Sequence, residues 1–136
     1  MKQILFPIFL SFLWVACRDL PQRATLDMER VAGRDTTFAL RAVCTDEVSD
    51  SFYVVAPYAD VEVLPLNLSS DLKTMLLKET MLDDRCTILL CKGREVRSYA
   101  TVKRRDFCDL AQLPQGRGIS MEQPLQIDGD SFKLLE

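Results

Sequence analysis

The residues with the most chemical reach in this chain are five cysteines, Cys17, Cys44, Cys86, Cys91 and Cys108, and no histidine accompanies them. Without an imidazole there is no Ser–His or Cys–His nucleophile pair, no histidine general base and no histidine metal ligand. Acid–base work would fall to carboxylates, lysine, tyrosine or a thiol. Asp46-Glu47 and Asp83-Asp84 are the obvious carboxylate pairs, but adjacent side chains diverge and turns favour these residue types. Cys86-x4-Cys91 lacks the paired knuckles of a zinc site, so neither a metal nor a small-molecule cofactor is expected. Gln115-Gly116-Arg117-Gly118 matches no phosphate loop and reads as a turn. The enzymatic alternative is a histidine-free hydrolase that acts on cell-wall glycan through two carboxylates.

Charge is unevenly spread. Asp46, Glu47, Asp50, Asp60 and Glu62 lie between Cys44 and Leu64 with no Lys or Arg among them. Lys92, Arg94, Arg97, Lys103, Arg104 and Arg105 then follow with Glu95 as the sole acid in that stretch. The chain as a whole has 17 basic against 20 acidic residues, a net charge of −3. A local basic patch on an acidic chain suits a protein partner or an anionic lipid surface, and nucleic acid is not expected.

The N-terminus carries an address. Lys2 precedes an apolar run from Ile4 to Val15, broken only by Pro7 and Ser11, and Arg18-Asp19 ends it. That is the layout of a secretory signal, with a basic start and an apolar stretch of about 7–15 residues. It is shorter than the roughly 20 residues a spanning helix needs, and it lacks the polar face of an amphipathic helix. Val15-Ala16-Cys17 resembles the lipobox of bacterial lipoproteins, with Trp14 standing where that family usually has Leu. The resemblance implies lipid on Cys17, loss of residues 1–16, and residence in the bacterial envelope facing periplasm or cell surface. Cleavage by ordinary signal peptidase would give a secreted soluble protein instead.

Loss of residues 1–16 removes Trp14, the single tryptophan, and lipidation of Cys17 leaves Cys44, Cys86, Cys91 and Cys108. An even number in an exported chain favours disulfides. On one strand the α-carbons of Cys86 and Cys91 would be about 16 Å apart, beyond the roughly 7 Å a disulfide tolerates. The remaining pairings are Cys44–Cys86 with Cys91–Cys108, or Cys44–Cys91 with Cys86–Cys108.

These residues must be placed by a small domain. The expected layout is a signal peptide over 1–16, a lipid-attachment cysteine and tether over 17–35, and one globular domain over 36–136. Ala24 to Ala32 could form a short helix. Thr36 to Cys44 alternates, with Phe38, Leu40, Ala42 and Cys44 on one face, and predicts a strand. Ser51 to Ala56 predicts a second that could pair with it as a hairpin. Ser69 or Ser70 would cap a helix running to Leu82, with Leu72, Met75, Leu76 and Leu82 on its apolar face. Cys86 to Cys91 reads as a central strand, Lys92-Gly93 as a turn, and Glu95 to Lys103 as its hairpin partner, with Val96, Ser98, Ala100 and Val102 on one side. Residues 106–122 read as loop, and Pro124 to Leu135 as a terminal hairpin. The order predicts an α+β fold: a small antiparallel sheet of about four to six strands with one main helix packed on a face. The function expected of such a chain is that of a non-enzymatic module that binds another envelope protein, as a subunit of an envelope or secretion complex or as a periplasmic inhibitor.

Overall fold

The computed structural model of the chain describes residues 20–27, 29, 37–103, 110–128 and 131–135. The export segment, Cys17, Arg104, Arg105 and Cys108 lie outside the described residues. Among the described residues eight strands follow in chain order: β1 (Gln22–Arg23), β2 (Thr37–Phe38), β3 (Ser51–Val55), β4 (Arg85–Lys92), β5 (Glu95–Lys103), β6 (Ile119–Ser120), β7 (Leu125–Asp128) and β8 (Ser131–Leu134). The one α-helix among the described residues, α1 (Ser70–Glu79), lies between β3 and β4. The larger sheet has the order β1-β5-β4-β3-β6 and the smaller one β2-β7-β8. All pairings are antiparallel except β1 with β5. The fold is α+β: among the described residues, two mostly antiparallel sheets and one α-helix.

The apolar run in β4 explains the layering. Every residue from Cys86 to Cys91 is at most 2% exposed, as expected of a strand covered on both faces. Cys86, Ile88 and Leu90 join Phe52 and Val54 of β3 in one cluster with Phe38, Leu40, Val43, Leu113, Met121, Leu125 and Ile127. Leu89 and Cys91 join Tyr53 and Val55 in another, closed by Leu72 and Leu76 of α1 and by Tyr99. The larger sheet is therefore sandwiched between the helix and the smaller sheet with its flanking turns. Cys86 and Cys91 face opposite layers.

Local chemistry fixes the element ends. Ser69 Oγ accepts from Leu72 N–H at 3.2 Å and caps α1. The helix stops at Glu79, short of Leu82, which is 41% exposed rather than on the buried face. Gly93, with φ +60, opens a two-residue turn between β4 and β5, at the position where a type II′ turn needs glycine. The turn is thus Gly93-Arg94, one residue later than the sequence suggests. Gly118 leaves room for a ring: a Cβ there would meet Tyr53 Oη at 3.1 Å.

Several expectations are corrected. The strand predicted over Thr36 to Cys44 is only Thr37–Phe38, followed by a 3-10 turn over Leu40–Val43. That turn buries Leu40 and Val43 and exposes Ala42, so the alternation in the sequence does not map onto two faces. β2 and β3 do not pair as a hairpin; β2 pairs with β7, and β3 lies between β4 and β6. A register shift at Leu90/Cys91 makes Arg97 the extra residue of β5, so Val96 packs toward the helix while Val102 packs toward the other layer. The folded unit also begins before residue 36: β1 pairs with β5, Ala24 is buried, and Leu26 bridges Cys44. Residues 24–27 are not helical. Within the stretch expected as loop, Ile119–Ser120 is a strand and Leu110–Gln112 a 3-10 turn.

Candidate interaction surface

The segment after β3 anchors itself by Val61 and turns Tyr58 and Val63 outward. Pro57 cannot donate to a ladder and ends the strand. Tyr58 follows with φ +62, and no other described non-glycine residue has a positive φ. Holding a bulky residue there costs about 1–3 kcal/mol. Tyr58 N–H donates to the Thr80 carbonyl at 2.7 Å, Asp60 accepts from Glu62 N–H at 3.0 Å, and Lys73 Nζ reaches Glu62 Oε2 at 3.3 Å. Residues 58–62 therefore run antiparallel to α1, with Tyr58 at its C-terminal end. Tyr58 is 75% and Met81 76% exposed, with Leu82 beside Met81 and Leu77 one helical turn earlier, both about half exposed. Val63, also exposed, borders an apolar cleft of about 310 Å³ lined by Val54, Ala56, Pro57, Leu64 and Gly116. Single exposed apolar residues are ordinary; several at one end of a helix, beside a tyrosine on a strained backbone, make a candidate interaction surface.

Cys44 and Cys91 are not poised as reactive thiols. No disulfide joins Cys44, Cys86 and Cys91 in this structure, and Cys108 lies outside the described residues. Burial, with Asp50 and Asp46 adding like charge, pushes the Cys91 thiol up to about 12. Burial likewise raises the half-buried Cys44, despite the Asp46 N–H that points at its sulfur. Neither is a ready thiolate.

Among the described basic residues, Lys92, Arg94 and Arg97 lie near one turn and Lys103 lies apart from them. Lys92 and Arg94 sit at the β4–β5 turn, and Arg97 occupies the bulge beside them. Lys103 stands opposite Arg85 at the far end of β5, about 25 Å away along the strand. Arg94 Nε donates to the Pro65 carbonyl at 3.4 Å, and Arg97 shares a small polar cleft with Asp46, Glu47 and Arg23. Arg104 and Arg105 lie outside the described residues.

The carboxylate pairs hold structure in place. Asp46 accepts from Val48 N–H, Ser49 N–H, Ser49 Oγ and Ser98 Oγ. Partial burial alone would raise its pKa, but these four bonds outweigh it and bring it to about 2. Asp84 is held below its ordinary value chiefly by the hydrogen bond from Arg85. A general acid needs the opposite shift. Gln115, first residue of the turn-like glycine motif, spends its amide on the Leu113 carbonyl at 2.8 Å and on Ala56 N–H at 3.3 Å. Among the described residues no three His, Cys, Asp or Glu gather as metal ligands, and no helix is long and apolar enough to cross a membrane.

Sequence reasoning missed the Tyr58 surface. The Pro57-Tyr58 stop after a strand was legible, but the left-handed backbone at Tyr58 and the early end of α1 were not. No protein-family model, no curated protein and no solved structure matches the chain.

Proposed function

We infer that this chain is a non-enzymatic binding module of the bacterial cell envelope, exported by residues 1–16, held at a membrane by lipid on Cys17, and engaging another envelope protein. The exposed cluster of Tyr58, Leu77, Met81 and Leu82 carries this reading. Interfaces favour aromatic and Met side chains with an apolar centre, and the rigid two-angle tyrosine contributes contact area at small entropic cost. The local strain at Tyr58 is compatible with a residue kept for contact rather than for stability. The low pKa of Asp46 gives no competing support to a hydrolase.

The test compares the full chain with Tyr58→Ala and Met81→Asp in capture from detergent-solubilised envelopes. Wild type retains a specific envelope protein, and each variant loses it by tenfold or more while keeping its melting temperature or gaining stability. Equal capture by all three proteins overturns the placement of the surface. Intact mass showing Cys17 without lipid overturns the anchor.

A further inference from the structure

β5 has a feature that the Tyr58 surface does not use. Its inner edge pairs with β4 along its whole length, whereas its outer edge pairs with β1 only at Ser98 and Tyr99. The last bond there runs from Ala24 N–H to the Tyr99 carbonyl at 2.7 Å. In an antiparallel pair, residues turned toward one neighbour alternate with residues turned toward the other. Tyr99 faces outward, so Thr101 and Lys103 do too. Among the described residues no backbone group pairs with their outward N–H and C=O groups.

The chain after β1 leaves this edge because its next groups bond elsewhere. The Thr25 carbonyl accepts from Thr45 N–H at 3.1 Å, and Asp27 N–H donates to the Val43 carbonyl at 2.7 Å. The same alternation turns Leu26 N–H and C=O back toward the β5 side. The two backbones diverge and open a cleft of about 760 Å³, walled by residues 24–27 and 29, 42–45 and 100–103. That volume lies within the range of binding sites. On the core side the cleft is floored by Leu26, Cys44 and Val102, which pack half-buried against the cluster beneath. On the other side Thr101 and Lys103 are exposed.

We propose that the Thr101–Lys103 edge of β5 receives an extended segment of a partner protein as an added strand. Main-chain bonds to Thr101 and Lys103 hold it. Apolar side chains at alternate positions sit over Leu26, Cys44 and Val102, and polar ones between them face Thr101 and Lys103. Strand addition works in this way, with backbone bonds for affinity and every second side chain for specificity. An open strand edge is otherwise a liability that proteins cover or blunt. This site shares no residue with the Tyr58 surface and takes a different kind of segment.

The experiment uses the full chain labelled with nitrogen-15 and the capped peptide Thr-Val-Thr-Val-Thr as probe, followed by amide NMR and hydrogen exchange. Thr101 and Lys103 amides are expected to exchange quickly in the free chain. At saturating probe they shift and exchange at least tenfold more slowly. The control peptide Thr-Val-Pro-Val-Thr leaves both unchanged. Thr101→Pro removes only an outward N–H and abolishes the shift at Lys103, while Tyr58→Ala leaves probe binding intact. If Thr101→Pro unfolds the chain, Thr101→Lys serves, with a loss of probe binding expected. Protection of Thr101 and Lys103 in the free chain would show that another segment of this chain already covers the edge and would overturn the proposal. So would probe-induced shifts that map elsewhere, or none.

Discussion

Asp46, on the loop after the 3-10 turn, accepts the hydroxyl of Ser98 from the middle of β5, 52 residues later in the chain. The same carboxylate takes Val48 N–H and both donors of Ser49. Arg41 closes the loop from below, donating to the Glu47 and Ser49 carbonyls at 3.2 and 2.6 Å and pairing with Glu122. One acidic side chain thus fastens residues 44–50 to the central sheet, where the sequence suggested only a polar connection.

Asp46→Ala leaves the Ser98 and Ser49 donors without their acceptor and is expected to cost about 1–3 kcal/mol. The wild-type acid response follows from the shift from the ordinary 3.8 to about 2. A lowered folded pKa stabilises the fold above the unfolded value, so this contribution is complete above about pH 4 and is lost as pH falls toward 2. Denaturant melts at pH 7, 4 and 2.5 check it: the gap between wild type and Asp46→Asn should be widest at pH 7 and shrink at 2.5. A gap that stays constant would remove Asp46 from the acid response.

Tyr58→Gly removes the left-handed strain and is expected to stabilise the chain by about 1 kcal/mol, even though a side chain is lost. Tyr58→Ala keeps much of the strain and should be near neutral. Thermal melts distinguish the two, and a destabilising Gly variant would mean the ring contributes packing that its 75% exposure does not suggest.

Thiol labelling at pH 8 should order the cysteines by burial. Cys44, half-exposed, reacts first, while Cys91, raised to about 12 and fully buried, reacts only on unfolding. Mass spectrometry of fragments after timed alkylation reads this directly. Rapid labelling of Cys91 in the folded chain would contradict its place on the face of β4 that α1 covers.

Ser69→Ala removes the acceptor for Leu72 N–H and should cost about 1 kcal/mol, whereas Ser70→Ala should cost less than half of that. Denaturant titration of both variants decides which serine is the cap, a choice the sequence alone left open.

What was legible in the sequence was what local chemistry controls. The unbroken apolar run of β4 marked a strand buried on both sides, the serines marked the start of α1, and Gly93 marked the hairpin. What was not legible depended on partners distant in the chain. Thr36 to Cys44 alternates like a strand, yet Leu40 and Val43 gain more from a 3-10 turn that fills the space over β4. β2 pairs with β7 from the far end of the chain, and β1 is drawn from the expected tether onto β5, where Arg23 stacks 5.6 Å from the Tyr99 ring. The bulge at Arg97 moved Val96 to the other face and left Ser98, Ala100 and Val102 in the expected alternation. At the site level, composition showed basic residues close in sequence, but the length of β5 separates Lys103 from Arg94. The Tyr58 surface arises from a backbone conformation that no residue type there announces.

The most direct measurement is photo-crosslinking in intact bacterial cells that express the full chain. A photoreactive amino acid replaces Met81 in the full chain, with Arg117 as the control position. The expected result is one envelope protein crosslinked from position 81, in the membrane fraction, absent from position 117 and lost in the Tyr58→Ala background. Equal crosslinking from both positions, or a chain recovered outside the envelope with no crosslink at all, would contradict a membrane-anchored module that binds through the surface of Tyr58 and Met81.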